Sequence, residues 1–194
     1  MNTLFQRLLI CSTAVLFSNN VIAIDLMSYS RNVPAASAQE PARSTVMGIF
    51  DSCGNASNLN DDCIMQGLTR VATEENNTVA KAIADSYDNA LTMGSSEPDC
   101  QTETHLQANR IVGHCLLLLN YSTLKNGTPP PGDYETCLQG GMLGLTYQGN
   151  IVAQYFMVQL FEQKGIPDAA QAWKNGLEMR KDTNEYELLM KCYR

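Results

Sequence analysis

Two histidines, His105 and His114, and seven cysteines are the side chains of this 194-residue sequence with the widest chemical repertoire. On one continuous helix the nine-residue step between the histidines turns through about 900°, so the rings face opposite sides and cannot share a metal ion. His114 and Cys115 are neighbours, and neighbouring helical residues do not face each other, so they make no Cys–His dyad. Catalysis by either imidazole needs a nucleophile and an orienting acid beside it; the expectation is a surface or half-buried ring. Asp51 to Asp62 has the length of a calcium loop. Yet Cys53 stands at its third position, Ala56 replaces the glycine needed at the sixth, and Asp62 replaces the bidentate glutamate needed at the last. The segment reads as a loop and a helix cap. The chain has no G-x-S-x-G, H-E-x-x-H, P-loop or dinucleotide fingerprint. No catalytic, cofactor-binding or metal-binding residue is therefore expected, and no cofactor.

The first 23 residues have the order of a secretory signal: Arg7, then the apolar run Leu8 to Phe17, then Val21-Ile22-Ala23 as a cleavage site. The run is too short to span a bilayer. The expectation is a periplasmic or secreted chain beginning near Ile24, with no stable membrane anchor. Cys53, Cys63, Cys100, Cys115, Cys137 and Cys192 remain after cleavage. An even count without a C-x-x-C pair, in an exported chain, argues for disulfides. Asn55, Asn76, Asn120 and Asn126 head N-x-Ser/Thr triplets, which matter only in a eukaryotic secretory pathway.

The elements that must position these residues are helical. Residues 24–42 lack a sustained period and read as a flexible lead-in. A short helix through Val46, Ile49 and Phe50 ends near Cys53-Gly54, and Asn55 to Asn60 is a polar loop. Asp61-Asp62 are expected to cap the next helix, whose Ile64, Leu68 and Val71 share one face. After the Asn76-Asn77 break, Val79, Ile83, Tyr87 and Leu91 resume the stripe as far as Gly94. Pro98-Asp99 starts a longer helix through Ile111, Cys115 and Leu119. Cys100 and Cys115 then lie about 22 Å apart along it and cannot bond. Pro129-Pro130-Pro131 interrupts the chain. Further helices are expected at Tyr134–Tyr147, Ile151–Lys164, Pro167–Lys181 and Asn184–Tyr193. No stretch alternates long enough for a strand. The fold class is all-α, about seven helices, in one domain over residues 43–194. Gly140, Gly141 and Gly144 read as small residues that let one helix approach another.

Charge is uneven. Asp51 to Glu103 carries ten acids against Arg70 and Lys81, whereas Thr104 to Arg194 is balanced. So acidic a chain lacks the Lys/Arg that displace counterions from nucleic acid. Its acidic half reads as a solvated face or as a docking surface for a basic partner.

Ala153 to Leu177 has the grammar of a tight helical hairpin: an apolar stripe, the Gly165 stop, then Pro167-Asp168 and an Ala/Trp stripe. Its expected core is Ala153, Tyr155, Phe156, Leu160, Phe161, Gly165, Ala172, Trp173 and Leu177, with Trp173 buried against Tyr155 or Phe156. The halves 61–124 and 134–194 also match weakly. Cys63-Ile-Met-Gln-Gly-Leu parallels Cys137-Leu-Gln-Gly-Gly-Met, and Asn77-Thr-Val-Ala-Lys parallels Asn150-Ile-Val-Ala-Gln. If the halves repeat, Cys63 pairs with Cys115 as Cys137 pairs with Cys192, leaving Cys53 with Cys100.

Ala153-Gln154-Tyr155, Leu160-Phe161, Gly165, Asp168, Ala172 and Trp173 resemble a Sel1-like repeat, a relative of the tetratricopeptide repeat, with a degenerate copy in the first half. The resemblance implies antiparallel hairpins stacked as a compact bundle or short solenoid, here reinforced by disulfides, and a protein-binding scaffold. The function expected is an exported protein-binding module without catalytic activity, its partner a protein with a basic surface. The alternatives are a small secreted hydrolase or lipid-acting enzyme, or an inhibitor or immunity-type protein that plugs an enzyme with its acidic face.

Overall fold

The computed structural model describes residues 24–94 and 97–193; the expected signal segment lies outside them. Among the described residues are nine α-helices: α1 (Ser28–Arg31), α2 (Ala42–Ser52), α3 (Asp61–Glu74), α4 (Thr78–Leu91), α5 (Glu103–Asn126), α6 (Asp133–Tyr147), α7 (Ile151–Gln163), α8 (Pro167–Glu178) and α9 (Asn184–Cys192). From α3 to α8 each helix packs on the next, and α5 also meets α2 and α7. The all-α expectation holds, with more helices than expected.

The helix starts follow from short polar side chains that satisfy free backbone donors. Asn60 Oδ1 accepts from the Cys63 amide (3.0 Å), Asn77 Oδ1 from Ala80 (3.0 Å) and Asn150 Oδ1 from Ala153 (2.9 Å). The cap of α3 is thus Asn60, one residue before the expected Asp61-Asp62. Those carboxylates sit in the first turn, where the helix dipole favours negative charge. The expected polar loop before it is a small antiparallel hairpin, β1 (Gly54–Asn55) with β2 (Asn58–Leu59).

Residues 24–42 differ from a flexible lead-in. Leu26 and Ala35 are buried, the Ala35 amide donates to Asn120 Oδ1 (3.0 Å), and the Met27 amide donates to Gln163 Oε1 (3.0 Å). The segment covers apolar surface that the amphipathic helices leave open, which its own lack of period did not show. Asn120, head of one N-x-Ser triplet, is buried by this contact.

All six cysteines among the described residues are bonded, as Cys53–Cys63, Cys100–Cys192 and Cys115–Cys137, with Cα atoms 5.5–5.6 Å apart. Three disulfides belong to an oxidising compartment. Each expected pairing is corrected: Cys63 does not reach Cys115, Cys137 does not reach Cys192, and Cys53 does not reach Cys100. The β1–β2 hairpin folds the end of α2 back on the start of α3, which joins Cys53 to Cys63. Cys115 meets Cys137 because α5 and α6 pack side by side. Cys100 is not in the long helix: Pro98–Cys100 forms a separate 3-10 turn, and α5 begins at Glu103. That turn faces α9, whose Cys192 it holds.

The α7–α8 hairpin forms, with Gly165 in the left-handed region (φ +69°) at its turn. Ala153, Tyr155, Phe156, Leu160 and Leu177 are buried as expected. Phe161 and Trp173 are only half-buried, and Ala172 and Gly165 are exposed. Ala170 takes the buried place on α8, and Ala172 stands about 200° round the helix from it. Trp173 consequently packs at the edge of the core rather than inside it.

Candidate functional site: a cavity between the last three helices

Three helical stripes converge on a cavity of about 350 Å³, within the roughly 300–1,000 Å³ usual for ligand sites. Helix α7 contributes Tyr155, Val158, Gln159 and Glu162, spaced i, i+3, i+4 and i+7 on one face. Lys174, Leu177 and Glu178 of α8 form the opposite wall, and Tyr186 and Met190 of α9 close the end. Sequence reasoning selected Tyr155 and Leu177 only as core and missed Gln159. The available signal was its place between the apolar pairs Met157-Val158 and Leu160-Phe161.

The gap exists because α9 is held elsewhere. It packs on α7 and on the 3-10 turn, and it is tied there by Cys100–Cys192 and by Lys191, which pairs with Glu97 (2.6 Å) and Asp99 (3.1 Å). At the mouth, Lys174 forms an ion pair with Glu162. Glu178 has no ion-pair partner among the described residues.

Behind Tyr155 the packing is aromatic. Tyr155 lies 5.6 Å from Tyr193 between ring centroids, and Tyr193 meets Phe156 edge-on and stacks on His105. The Tyr193 hydroxyl donates to Asn109 Oδ1 (3.3 Å), and Asn109 Nδ2 donates to the Leu91 and Met93 carbonyls. The Tyr155 hydroxyl and Gln159 Oε1 are buried and have no hydrogen-bond partner among the described residues. Each such group costs about 1–3 kcal/mol. Burial first, and the Glu162 carboxylate second, push the Tyr155 phenol up to about 12, so it keeps its proton and acts as a donor.

Neither histidine lines this cavity. His105 is buried, deeper than expected. Its Nδ1 shares a 2.6 Å hydrogen bond with Thr102 Oγ1, and burial lowers its pKa. His114 is half-buried, with Nδ1 2.8 Å from Asp61 Oδ1. That hydrogen bond raises the imidazole pKa against the opposing effect of burial. The pair is a base with an orienting acid, and its described hydrogen bonds include no nucleophile. Among the described residues no group of three His, Cys, Asp or Glu side chains is placed to hold a metal ion, and no helix is long and apolar enough to cross a membrane.

No family model, curated protein or solved structure matches this chain significantly.

Proposed function

We propose that this chain is an exported, non-enzymatic helical scaffold that works by holding a partner protein. One observation supports the reading: a few local features recur between α2–α3–α4 and α5–α6–α7. Ile49 and Ile111 each stand four residues before a bonded cysteine, Cys53 and Cys115. Their partners, Cys63 and Cys137, each stand four residues before a glycine. A Cβ added at Gly67 would lie 2.5 Å from Ile49, and one added at Gly141 would lie 2.5 Å from Ile111. Gly140 and Gly144 meet no such neighbour. Each unit's third helix then starts on an asparagine cap, Asn77 or Asn150, whose Nδ2 donates back to the backbone of its unit's first helix, at Ala42 or Thr104.

Helical units that bury their faces by stacking make extended protein-binding surfaces, and the α7–α8 hairpin that carries the Sel1-like residues agrees with such a scaffold. The acidic run from Asp51 to Glu103 favours a basic partner, and it equally supports a second reading, an inhibitor or immunity-type protein. Affinity capture by the oxidised mature chain from periplasmic or host extract tests the proposal. The expected result is a stoichiometric basic partner whose retention falls as salt rises. An enzyme activity abolished by His114→Ala or His105→Ala would overturn it.

A further inference from the structure

The segment from Ile24 to Ser37 is held by the rest of the fold much as a bound peptide is held. It comprises α1 and a 3-10 turn (Pro34–Ser37), and it packs on α4 and α5. Two carboxamides far along the chain take its backbone. Gln163 of α7 accepts from the Met27 amide at Oε1 (3.0 Å) and donates from Nε2 to the Ile24 carbonyl. Asn120 of α5 accepts from the Ala35 amide (3.0 Å) and donates to the Leu116 carbonyl (2.8 Å). A carboxamide has both an acceptor and a donor, so it can pair with main chain as a neighbouring strand does. Leu26, Val33 and Ala35 are buried beside these clamps. The hydrogen bonds that hold the segment span 85 to 139 residues of sequence. Its link onward is short: residues 38–41 are neither helix nor strand, and α2 begins at Ala42. The segment is thus a terminal arm whose partners all come much later in the chain. The groove that fits it fits the identical arm of another copy equally well.

We propose that this groove is a self-recognition site, in which the arm of one copy docks on Gln163 and Asn120 of a second copy and the second copy's arm docks in return. The exchanged dimer is symmetric and closed. An exchanged arm makes the same contacts as a resident one, so dimer and monomer differ chiefly by the entropy of association, which concentration offsets. Four extended link residues reach roughly 13 Å, so copies that exchange arms lie against each other. The proposal does not depend on which partner the scaffold holds.

The test uses the oxidised mature chain, unfolded and refolded with its disulfides intact, and a fluorescent peptide with the sequence Ile24 to Ala38. Size exclusion should show monomer after refolding in dilute solution and dimer after refolding in concentrated solution. Leu26→Asp, which puts a charge where the arm is buried, should give monomer at both concentrations. With its own arm weakened, that chain should bind the wild-type peptide saturably and at least roughly ten-fold more tightly than the wild-type monomer does. Adding Gln163→Leu to it should weaken the peptide several-fold through the lost clamp, and a peptide carrying Leu26→Asp should not bind. A wild-type chain that is monomeric at every concentration overturns the proposal. So does a Leu26→Asp chain that dimerises as wild type does, or equal binding of the two peptides. Where Leu26→Asp prevents the chain from folding, the wild-type peptide is added in excess while wild-type chain refolds. It should suppress the dimer, and a dimer that it leaves unchanged overturns the proposal.

Discussion

Helices α4 and α7 both start on an asparagine cap, and the difference between them lies on one face. Counting from the caps Asn77 and Asn150, the positions of Tyr155, Val158, Gln159 and Glu162 are taken in α4 by Ala82, Asp85, Ser86 and Asn89. Both faces line hollows. The α4 hollow is completed by Ser28, Tyr29, Asn32 and Pro34 from the chain start, the α7 cavity by α8 and α9. Ala82, Asp85 and Asn89 are exposed, whereas Tyr155, Val158 and Gln159 are buried. Water satisfies the small polar groups on α4 without cost. On α7 the covering helices exclude water and leave the Tyr155 hydroxyl and Gln159 Oε1 without a hydrogen-bond partner among the described residues. An asparagine-capped helix thus presents a solvated or an enclosed face, depending on what covers it.

The largest expected effect comes from the cover. Cys100–Cys192 joins residues 92 apart and belongs to neither unit. Replacing both cysteines by alanine should cost about 4–5 kcal/mol by the loop-length relation, more than the loss of either short-loop bridge. It should also loosen α9, which loses its main tie. Thermal melts and amide hydrogen exchange of α9 check this; unchanged exchange would mean that α9 is held by packing alone.

The glycine pair tests whether the units match. Gly67→Val and Gly141→Val should each cost about 1–3 kcal/mol by overpacking, and Ile49→Ala and Ile111→Ala respectively should restore part of it. Gly140→Val and Gly144→Val, where a Cβ meets nothing within 4 Å, should lack that penalty. A severe loss at only one of Gly67 and Gly141 would break the correspondence. Trp173→Ala follows at about 1–2 kcal/mol, below the roughly 3–5 kcal/mol of a fully buried Trp, because the ring is only half-buried.

The histidines give the smallest effects, with opposite signs. His105 has a lowered pKa when folded, so the unfolded chain binds the proton more readily. Its contribution is complete above the unfolded value near 6.5 and falls as pH drops below it. His114 has a raised pKa, so the His114–Asp61 pair contributes fully below about pH 6.5 and is lost as pH rises through the folded value. Partial exposure limits it to under about 1 kcal/mol. Chemical denaturation between pH 5 and pH 8 should show His105→Gln becoming relatively more stable toward acid and His114→Gln relatively less so. The same slope for both would contradict their assigned surroundings.

Local rules read much of this chain correctly. The period of Ile64, Leu68 and Val71, the break at Asn76-Asn77 and the Gly165 stop are decided within a few residues, by side-chain spacing and backbone conformation. The sequence alone also specified a bonded set of six cysteines and an acidic first half. It did not specify which cysteines meet. Proximity in space depends on the β1–β2 hairpin, on the end of the long helix at Glu103 rather than Pro98, and on α9 folding back to the 3-10 turn. Residues 24–42 look featureless because their apolar residues answer to surfaces built by α4, α5 and α7 and follow no period of their own. The cavity was equally illegible: Gln159 looks like an ordinary helical residue until α8 and α9 enclose it. Hydrogen-bond debt is a property of burial, and burial is settled only when distant segments pack.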